Sequence, residues 1–531
     1  MFVFSGCADI MAFIIPPPTR LADSEASRMA PDLVLDHVRL AEGATQVSIA
    51  IRAGRIAEVG PNIPASRTSS RTRRLDLQGA VVEPNVADAH IHLAGTAMLA
   101  DAILVQGVET RDAFCERLRQ SPSQLGSDWQ WVVGASRALF ASLDPAALPS
   151  CDEKRRWVAS APDGHGLRLS PGAVALLPDP LRQKVATAGG RVEGAMARDV
   201  WRRLPPPRRQ RLGPLMVKTL RELAERGIGE VHAMGESVAT LRVLRDLARR
   251  GRVPIRVYVY LDAHDPEIEA ALSDASRTPS TGRPPLVAVA GAKVWLDGTL
   301  GGKTAAMRAP YADDASGEPY DAKARLQVTD DALRGWVERL DRLGLQLAVH
   351  AIGDAAVEQL LRVSSAMQRP ADARPIRLEH AQTVGADQLQ RLSGLLCSIQ
   401  PLHRLQDLAM ATPRLGNQRI SDGWRAASLA KVCPLLVGSD LPISAADPTQ
   451  WRAELLGRTE PPRAENERLT QAEVAAALLR DPFTGRLRRV AVGANADLMA
   501  HGRGQDAPSP DILIVDGQVR IIAPRLLRTG R

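Results

Sequence analysis

"LQLAVHAIGD", residues Leu345–Asp354, is a short apolar run that stops on a histidine. Three later stretches repeat the plan: "PIRLEHAQ" (Pro375–Gln382), "LLCSIQPLH" (Leu395–His403) and "CPLLVGSDLP" (Cys433–Pro442). Runs this short and this uniformly apolar read as strands buried on both faces. Helical stretches alternate with them, among them "LMVKTLRELAERG" (Leu215–Gly227) and "DALRGWVERLDRLG" (Asp331–Gly344). Strands and helices in alternation predict a parallel sheet covered by helices. Each run ends in a polar residue: His350, His380, His403, Asp440. In a (β/α)8 barrel the carboxyl ends of the strands share one face, so these side chains would converge on one pocket.

Outside this region the pattern changes. From Asp32, "DLVLDHVRLAEGATQVSIAIRAGRIAEVGP" alternates apolar and polar residues between glycine turns, as antiparallel strands do. "NADLMAHG" (Asn495–Gly502) and "DILIVDGQVRIIA" (Asp511–Ala523) repeat that signature at the far end. Both chain ends are therefore expected to build one small sheet domain, residues 29–82 plus 488–531, beside a barrel spanning 83–487. The stretch from about 129 to 212, rich in Pro and Arg, reads as an insertion over the barrel mouth. Residues 1–28 lack the basic start of a signal peptide and are expected to be a poorly ordered extension, with Met29 opening the protein proper.

At 531 residues and 45% apolar content the chain can bury a large core, packed by aliphatic side chains since aromatics make up only 3%. The net charge of +8 lies in short arginine runs without interleaved aromatics, which favours solvated surface over nucleic-acid binding and leaves room for anionic small molecules. Five widely spaced cysteines with no CxxC pair argue against a disulfide framework and fit a cytoplasmic protein. No run of about 20 uninterrupted apolar residues offers a membrane span.

"DAHIH" (Asp88–His92) places His90 and His92 on one face of a strand, where both rings can reach one ion. Alone, the pair serves equally as ligands or as hydrogen-bonded imidazoles; Asp88 is a candidate to orient one ring. His350, His380 and Asp440 at later strand ends tip the balance towards a divalent metal. Lys293, inside the apolar "VAVAGAKVWLDG" (Val287–Gly298), is expensive to bury as an ammonium. A neutral amine there could take up carbon dioxide to become a carbamate ligand, or the ammonium could pair with Asp297; strand position alone does not decide. His232 reads equally as pocket-facing or packed.

Taken together, His90, His92, Lys293, His350, His380 and Asp440 resemble the amidohydrolase superfamily. "DGTLGGKTAAM" (Asp297–Met307), "HAIGDAAV", "RLEHAQ", "SIQPLH" and "GSDLPISAADP" (Gly438–Pro448) resemble its family 3 branch, which includes N-substituted formamide deformylase. The resemblance implies an α/β fold, a distorted (β/α)8 TIM barrel with a small β-sandwich from both termini. It implies hydrolysis of a carbon–nitrogen bond in an amide, N-acyl or N-formyl amine by a metal-activated water. The implied ligands of one or two divalent ions, zinc first, are His90, His92, carbamylated Lys293, His350, His380 and Asp440, with Asp440 also the general acid/base. His165, Lys303 and His403 would touch a small-molecule substrate, and a homodimer is the expected assembly.

Some positions depart from that pattern. Asn85 and Val86 stand where the branch has a glycine and an aromatic, Gly302-Lys303-Thr304 where it has Ser-Arg-Thr, and Ser170 where an asparagine is expected. A cyclic amide or imide substrate remains compatible. Deamination of a heterocycle is disfavoured because position 353, three residues after His350, is glycine rather than glutamate. The reading from another class is a catalytically inactive metal-binding barrel, which the intact ligand set disfavours.

Overall fold

Eight strands pair side by side, in parallel and in chain order: β1 (Val86–Ile91), β2 (Ile228–Glu236), β3 (Arg256–Asp262), β4 (Val287–Trp295), β5 (Gln346–Ala351), β6 (Arg377–His380), β7 (Leu396–Ile399) and β8 (Leu435–Val437). The computed structural model describes residues 30–121, 129–144, 156–161, 166–205, 209–277, 284–314, 320–457, 467–502 and 510–523; the expected N-terminal extension and His165 lie outside them. Every residue of β1, β5, β6, β7 and β8 is buried, which parallel strands require because helices cover one face and the barrel interior the other. The helix Asp330–Leu343 shows how that cover is built. Thr329 caps its start by accepting from the Ala332 amide, Leu333, Val337 and Leu340 face inward, and Gly344 ends it at φ +65°. The (β/α)8 barrel expected from the alternating runs is thus the observed fold.

The ring is closed by the chain segments that carry the histidine pair and Asp440. Asp440 N donates to His90 O at 2.7 Å, His92 N donates to Leu441 O at 2.9 Å, and Ile91 bridges Leu441 in parallel. Ser439 adds two bonds to the Asp88 carboxylate, from its amide at 2.9 Å and its hydroxyl at 2.6 Å. Gly438 is obligatory here, since a Cβ would stand 2.5 Å from His90 N.

Two four-stranded sheets form the sandwich. One holds Leu33–Val38, Val47–Arg52, Arg55–Gly60 and Arg73–Asp76; the other joins Val81–Pro84 to Leu498–His501, Ile512–Val515 and Gln518–Ile522. Leu35, Ile49 and Ile51 meet Leu498, Ile512 and Ile514 in their common core. At the base of β3, Arg256 makes a buried bidentate pair with Asp497, 3.0 Å on each arm, which ties the sandwich to the end of the barrel opposite the histidines.

The insertion is a five-stranded mixed sheet of Ile103–Leu104, Gln130–Val133, Trp157–Ser160, Gly166–Leu169 and Arg191–Glu193. It starts upstream of residue 129 because its first strand is two residues long, too short to leave a pattern. Cys397 and Cys433 are buried free thiols, whereas Cys115 in the insertion is disulfide-bonded, a pairing of which the cysteine spacing carries no trace. Among the described residues, no helix is long and apolar enough to cross a membrane.

Asn85 sits where the chain enters the barrel, at the opposite end of β1 from His90. It is fully buried, and neither amide atom has a hydrogen-bond partner. Gly229 at the base of β2 makes room for it: a Cβ there would meet Asn85 Nδ2 at 1.9 Å. Asn85 and Gly229 are thus fitted to one another in the barrel floor. Gly229→Ala should lower stability by about 1–3 kcal/mol, seen as an earlier denaturant midpoint, and Asn85→Ala in the same chain should recover most of the loss.

Candidate metal centre

Alternate residues of a barrel strand face inward, so Asp88, His90 and His92 all point into the mouth. Lys293 stands near the end of β4, His350 near the end of β5, His380 ends β6, and Asp440 follows β8. His380 and Asp440 hold φ of +73° and +57°, a strain of about 1–3 kcal/mol each that aims both side chains at the centre. The rings of His90 and His380 lie 4.9 Å apart, those of His350 and His380 4.5 Å, and those of His90 and His92 5.4 Å. His403, from the helix after β7, stacks on His380 at 6.0 Å and brings Nε2 to 3.6 Å from Asp440 Oδ2. A narrow cleft opens beside them, lined by His380, Gln382, Gln400, His403 and Trp424 among others.

The ring tautomers follow from their partners. His92 Nδ1 lies 2.9 Å from the Met234 carbonyl, which only accepts, so Nδ1 carries a proton; Nε2 lies 3.0 Å from Asp440 Oδ1, and although burial opposes the charge, the hydrogen bond to Asp440 raises the His92 pKa. His90 Nδ1 lies 2.8 Å from Glu379 Oε2, which leaves its Nε2 facing the centre in the same way. His350 turns the other way, donating from Nε2 to the Gly298 carbonyl at 3.0 Å. Burial, helped by Lys293, pushes the His90 imidazole down to about 4, and burial with His350 holds His380 well below the usual histidine range. Burial alone would raise the Asp440 carboxyl, but His90, His92 and His380 hold it well below the carboxylate range.

Whether these residues suit a metal is decided by buried polar atoms that make no hydrogen bond. Among the described residues, Lys293 Nζ, His90 Nε2, His380 Nδ1 and His403 Nε2 are buried and make no hydrogen bond, His90 Nε2 and His403 Nε2 lying 3.4 and 3.6 Å from the Asp440 carboxylate. An unsatisfied buried polar atom costs about 1–3 kcal/mol, so four in one place mark a site built for something else. Among the described residues, His90, His380 and Asp440 each bring a ligand atom within 4.8 Å of the others. Neutral imidazoles with a carboxylate form a donor set that suits zinc and similar borderline ions.

Lys293 is fully buried, and the expected alternative pairing with Asp297 does not occur. Asp297 instead accepts from the amides of Ala306, Ile352 and Gly353 at 3.0, 3.1 and 2.8 Å. Burial lowers Lys293 to about 8, against the opposing pull of Glu379 and Asp440. Lys303 is held by Asp313, 3.0 Å to the carbonyl and 3.1 Å to the carboxylate. Ser170 caps a short helix through the Ala173 amide. Gly353 has no room for a side chain, as a Cβ would meet Ala306 O at 2.1 Å, and Asp354 is engaged by the Arg308 amide at 2.8 Å.

Two functional neighbours escape a search for ligands: Arg377 and Glu379, both fully buried on β6. Glu379, not Asp88, orients the His90 ring; Asp88 acts on the His90 amide at 3.1 Å and on Ser439. Arg377 Nε lies 2.9 Å from Glu379 Oε1, and its NH1 reaches His232 Nδ1 at 3.0 Å, which makes His232 part of the packed barrel interior. The signal available was two charges inside an otherwise apolar run. Burial alone would raise the Glu379 carboxyl, but Arg377 and His90 hold it below its ordinary 4.5. A carboxyl shifted this way stabilises the fold above that value, and the contribution is lost as pH falls below it. Arg377→Met strands the carboxylate and should cost about 3–5 kcal/mol at pH 7, with the deficit shrinking on acidification, as read from urea midpoints.

Comparison with known proteins places this geometry among relatives. A model of the amidohydrolase family matches residues 73–501. YtcJ of Bacillus subtilis (strain 168) is 25% identical over 404 residues, covering 72% of this chain and 74% of its own. Protein LONG AFTER FAR-RED 3 of Arabidopsis thaliana is 24% identical over 452 residues, covering 76% and 73%. Among solved structures, uncharacterized metal-dependent hydrolases of Pyrococcus horikoshii OT3 and Pyrococcus furiosus superpose with TM-scores of 0.72 and 0.69 at 21% and 22% identity. They cover 92% and 90% of this chain and 99% of each partner, which establishes the shared fold.

Proposed function

The chain belongs to the amidohydrolase family, and from that premise we propose that it hydrolyses a carbon–nitrogen bond of a small molecule at a divalent metal centre. The residues that would hold the metal are His90, His92, Lys293, His350, His380 and Asp440. The observation that carries the proposal is the buried trio His90, His380 and Asp440, with ligand atoms within 4.8 Å of one another beside the unpartnered Lys293 Nζ. When bound, a divalent ion such as zinc supplies Lewis acidity, polarising a carbonyl and lowering the pKa of water.

The remaining chemistry belongs to the chain. Asp440, held ionised by three histidines, accepts a proton at its carboxylate and returns it to the departing nitrogen. An amine leaves poorly without that proton. His92 Nε2 and His403 Nε2, at 3.0 and 3.6 Å, flank the two carboxylate oxygens. Lys293 as the neutral amine can add carbon dioxide through a new N–C bond and release one N–H proton to solvent, which would turn a buried amine into an anionic oxygen donor. His403, Gln400 and Trp424 line the space for substrate. Backbone packed tightly around Gly353 supports hydrolysis over ring deamination, because the carboxylate a deaminase needs there cannot fit.

Counting metal per purified chain and screening the same sample for amine release from N-formyl, N-acyl and cyclic amides tests the proposal. At least one ion per chain with amine release is expected. No metal, and no activity after reconstitution, would overturn it.

A further inference from the structure

Cys397 on β7 and Cys433, just ahead of β8, are free thiols, and both are buried. The Cys433 thiol donates to Cys397 Sγ at 2.8 Å, across 36 positions of chain. Backbone pairing fixes the approach: Cys397 is in register with Leu435, and its amide donates to Pro434 O at 3.1 Å. On its other side Cys397 is in register with Leu378, whereas the next residue, Ser398, pairs with Glu379. Alternation along the strand therefore turns the thiols away from the metal donors. They pack in the apolar layer under the helices Ala426–Ala430 and Gln471–Leu479, with Leu429 and Val474.

At three residues β8 is the shortest strand of the barrel, yet it leads into the turn that carries Asp440. The thiol pair stands at its base, the end opposite that turn. A cation is held beside the Cys433 end. Arg480 donates to Gly485 O at 2.7 Å, and Gly485 lies against Pro434, where a Cβ would meet the proline Cβ at 2.8 Å. Burial presses against the Arg480 charge and Cys433 supports it. A guanidinium in that position favours the thiolate, the form of cysteine that reacts with oxidants.

We propose that Cys397 and Cys433 are an oxidative modification site, which a peroxide converts to a disulfide that staples β8 to β7. The sulfurs have only to close from 2.8 Å to the roughly 2.05 Å of an S–S bond. Hydrogen peroxide gives one oxygen to Cys433, the less enclosed of the two at 5% exposure, and departs as water. The Cys397 sulfur then attacks the Cys433 sulfenic acid; the S–S bond forms, and the hydroxyl leaves with the Cys397 proton as a second water. Each sulfur gives up one electron, and the O–O bond takes both. The new link closes a loop across 36 positions and anchors the base of β8 covalently.

The test treats the full chain with hydrogen peroxide, blocks the remaining thiols under denaturing conditions, and maps the peptides by mass spectrometry before and after reduction. A Cys397–Cys433 cross-linked peptide should appear with peroxide and vanish on reduction. The thermal midpoint of the treated protein should rise by about 2–8 °C, the effect of a disulfide in a chain of this size. In Cys433→Ala and in Cys397→Ala the same treatment should give neither the cross-link nor the rise, which separates the staple from oxidation elsewhere. Mapping on the wild type decides the bond even where a variant fails to fold. Both thiols still open to blocking after peroxide, sulfinic acid at either position without a cross-link, or a bond from either cysteine to a different partner would overturn the site. A cross-link that leaves the midpoint unmoved would overturn the staple.

Discussion

Asp440→Asn should reduce turnover by about 10²–10⁴-fold while leaving a folded protein. The substitution isolates proton transfer from architecture. The barrel-closing bond at this position is made by the backbone, Asp440 N to His90 O, and survives the change. Its φ of +57° is one that asparagine tolerates better than most residues, so the turn is not strained further. An amide keeps an oxygen near His92 and His403 but cannot take up and return a proton. Metal content by elemental analysis, circular dichroism and amine release on one sample separate the cases. Near wild-type turnover with metal bound would remove Asp440 from the acid/base role.

Lys293→Met should move stability and function in opposite directions. Methionine matches the length of the lysine stem and removes a buried amine that has no partner, so the metal-free protein should gain about 1–3 kcal/mol. Metal retention should fall by about 10–100-fold, and turnover with it. The pH dependence has a definite sign. Burial lowers the amine to about 8 from an ordinary 10.5, so between those values the unfolded chain holds a proton that the folded chain has shed. Stability of the metal-free wild type therefore rises with pH across that window, and the rise is absent in Lys293→Met. The neutral amine also becomes the majority form above about 8, so uptake of labelled bicarbonate should grow with pH and vanish in the variant. Unchanged metal content and no label in the wild type would dismiss the carbamate.

How much of this was legible in the sequence depends on range. Period and length are local, so the apolar runs ending in His350, His380 and Asp440 disclosed the barrel and which ends carry chemistry. The partners of those residues are not local. Glu379 reaches His90 across 289 positions of chain, and no spacing rule connects them. Lys293 was ambiguous for the same reason, because its freedom from Asp297 depends on three amides supplied by other segments. The edge of the insertion was missed because a two-residue strand is defined by its neighbour and not by its own pattern.

The seam between β1 and β8 has a consequence for biosynthesis. Asp88 and Ser439, which meet there, are 351 residues apart, an interval of about 20–70 s at ordinary rates of translation. Throughout that time β1 is an unpaired edge bearing His90 and His92, the kind of surface that invites wrong partners and the attention of chaperones. The last partner to arrive, at Gly438–Leu441, pairs that edge and brings the carboxylate in one step. A chain cut short before Leu441 would leave the ribosome with an open edge and an incomplete ligand set, so metal occupancy would report that synthesis had passed that residue.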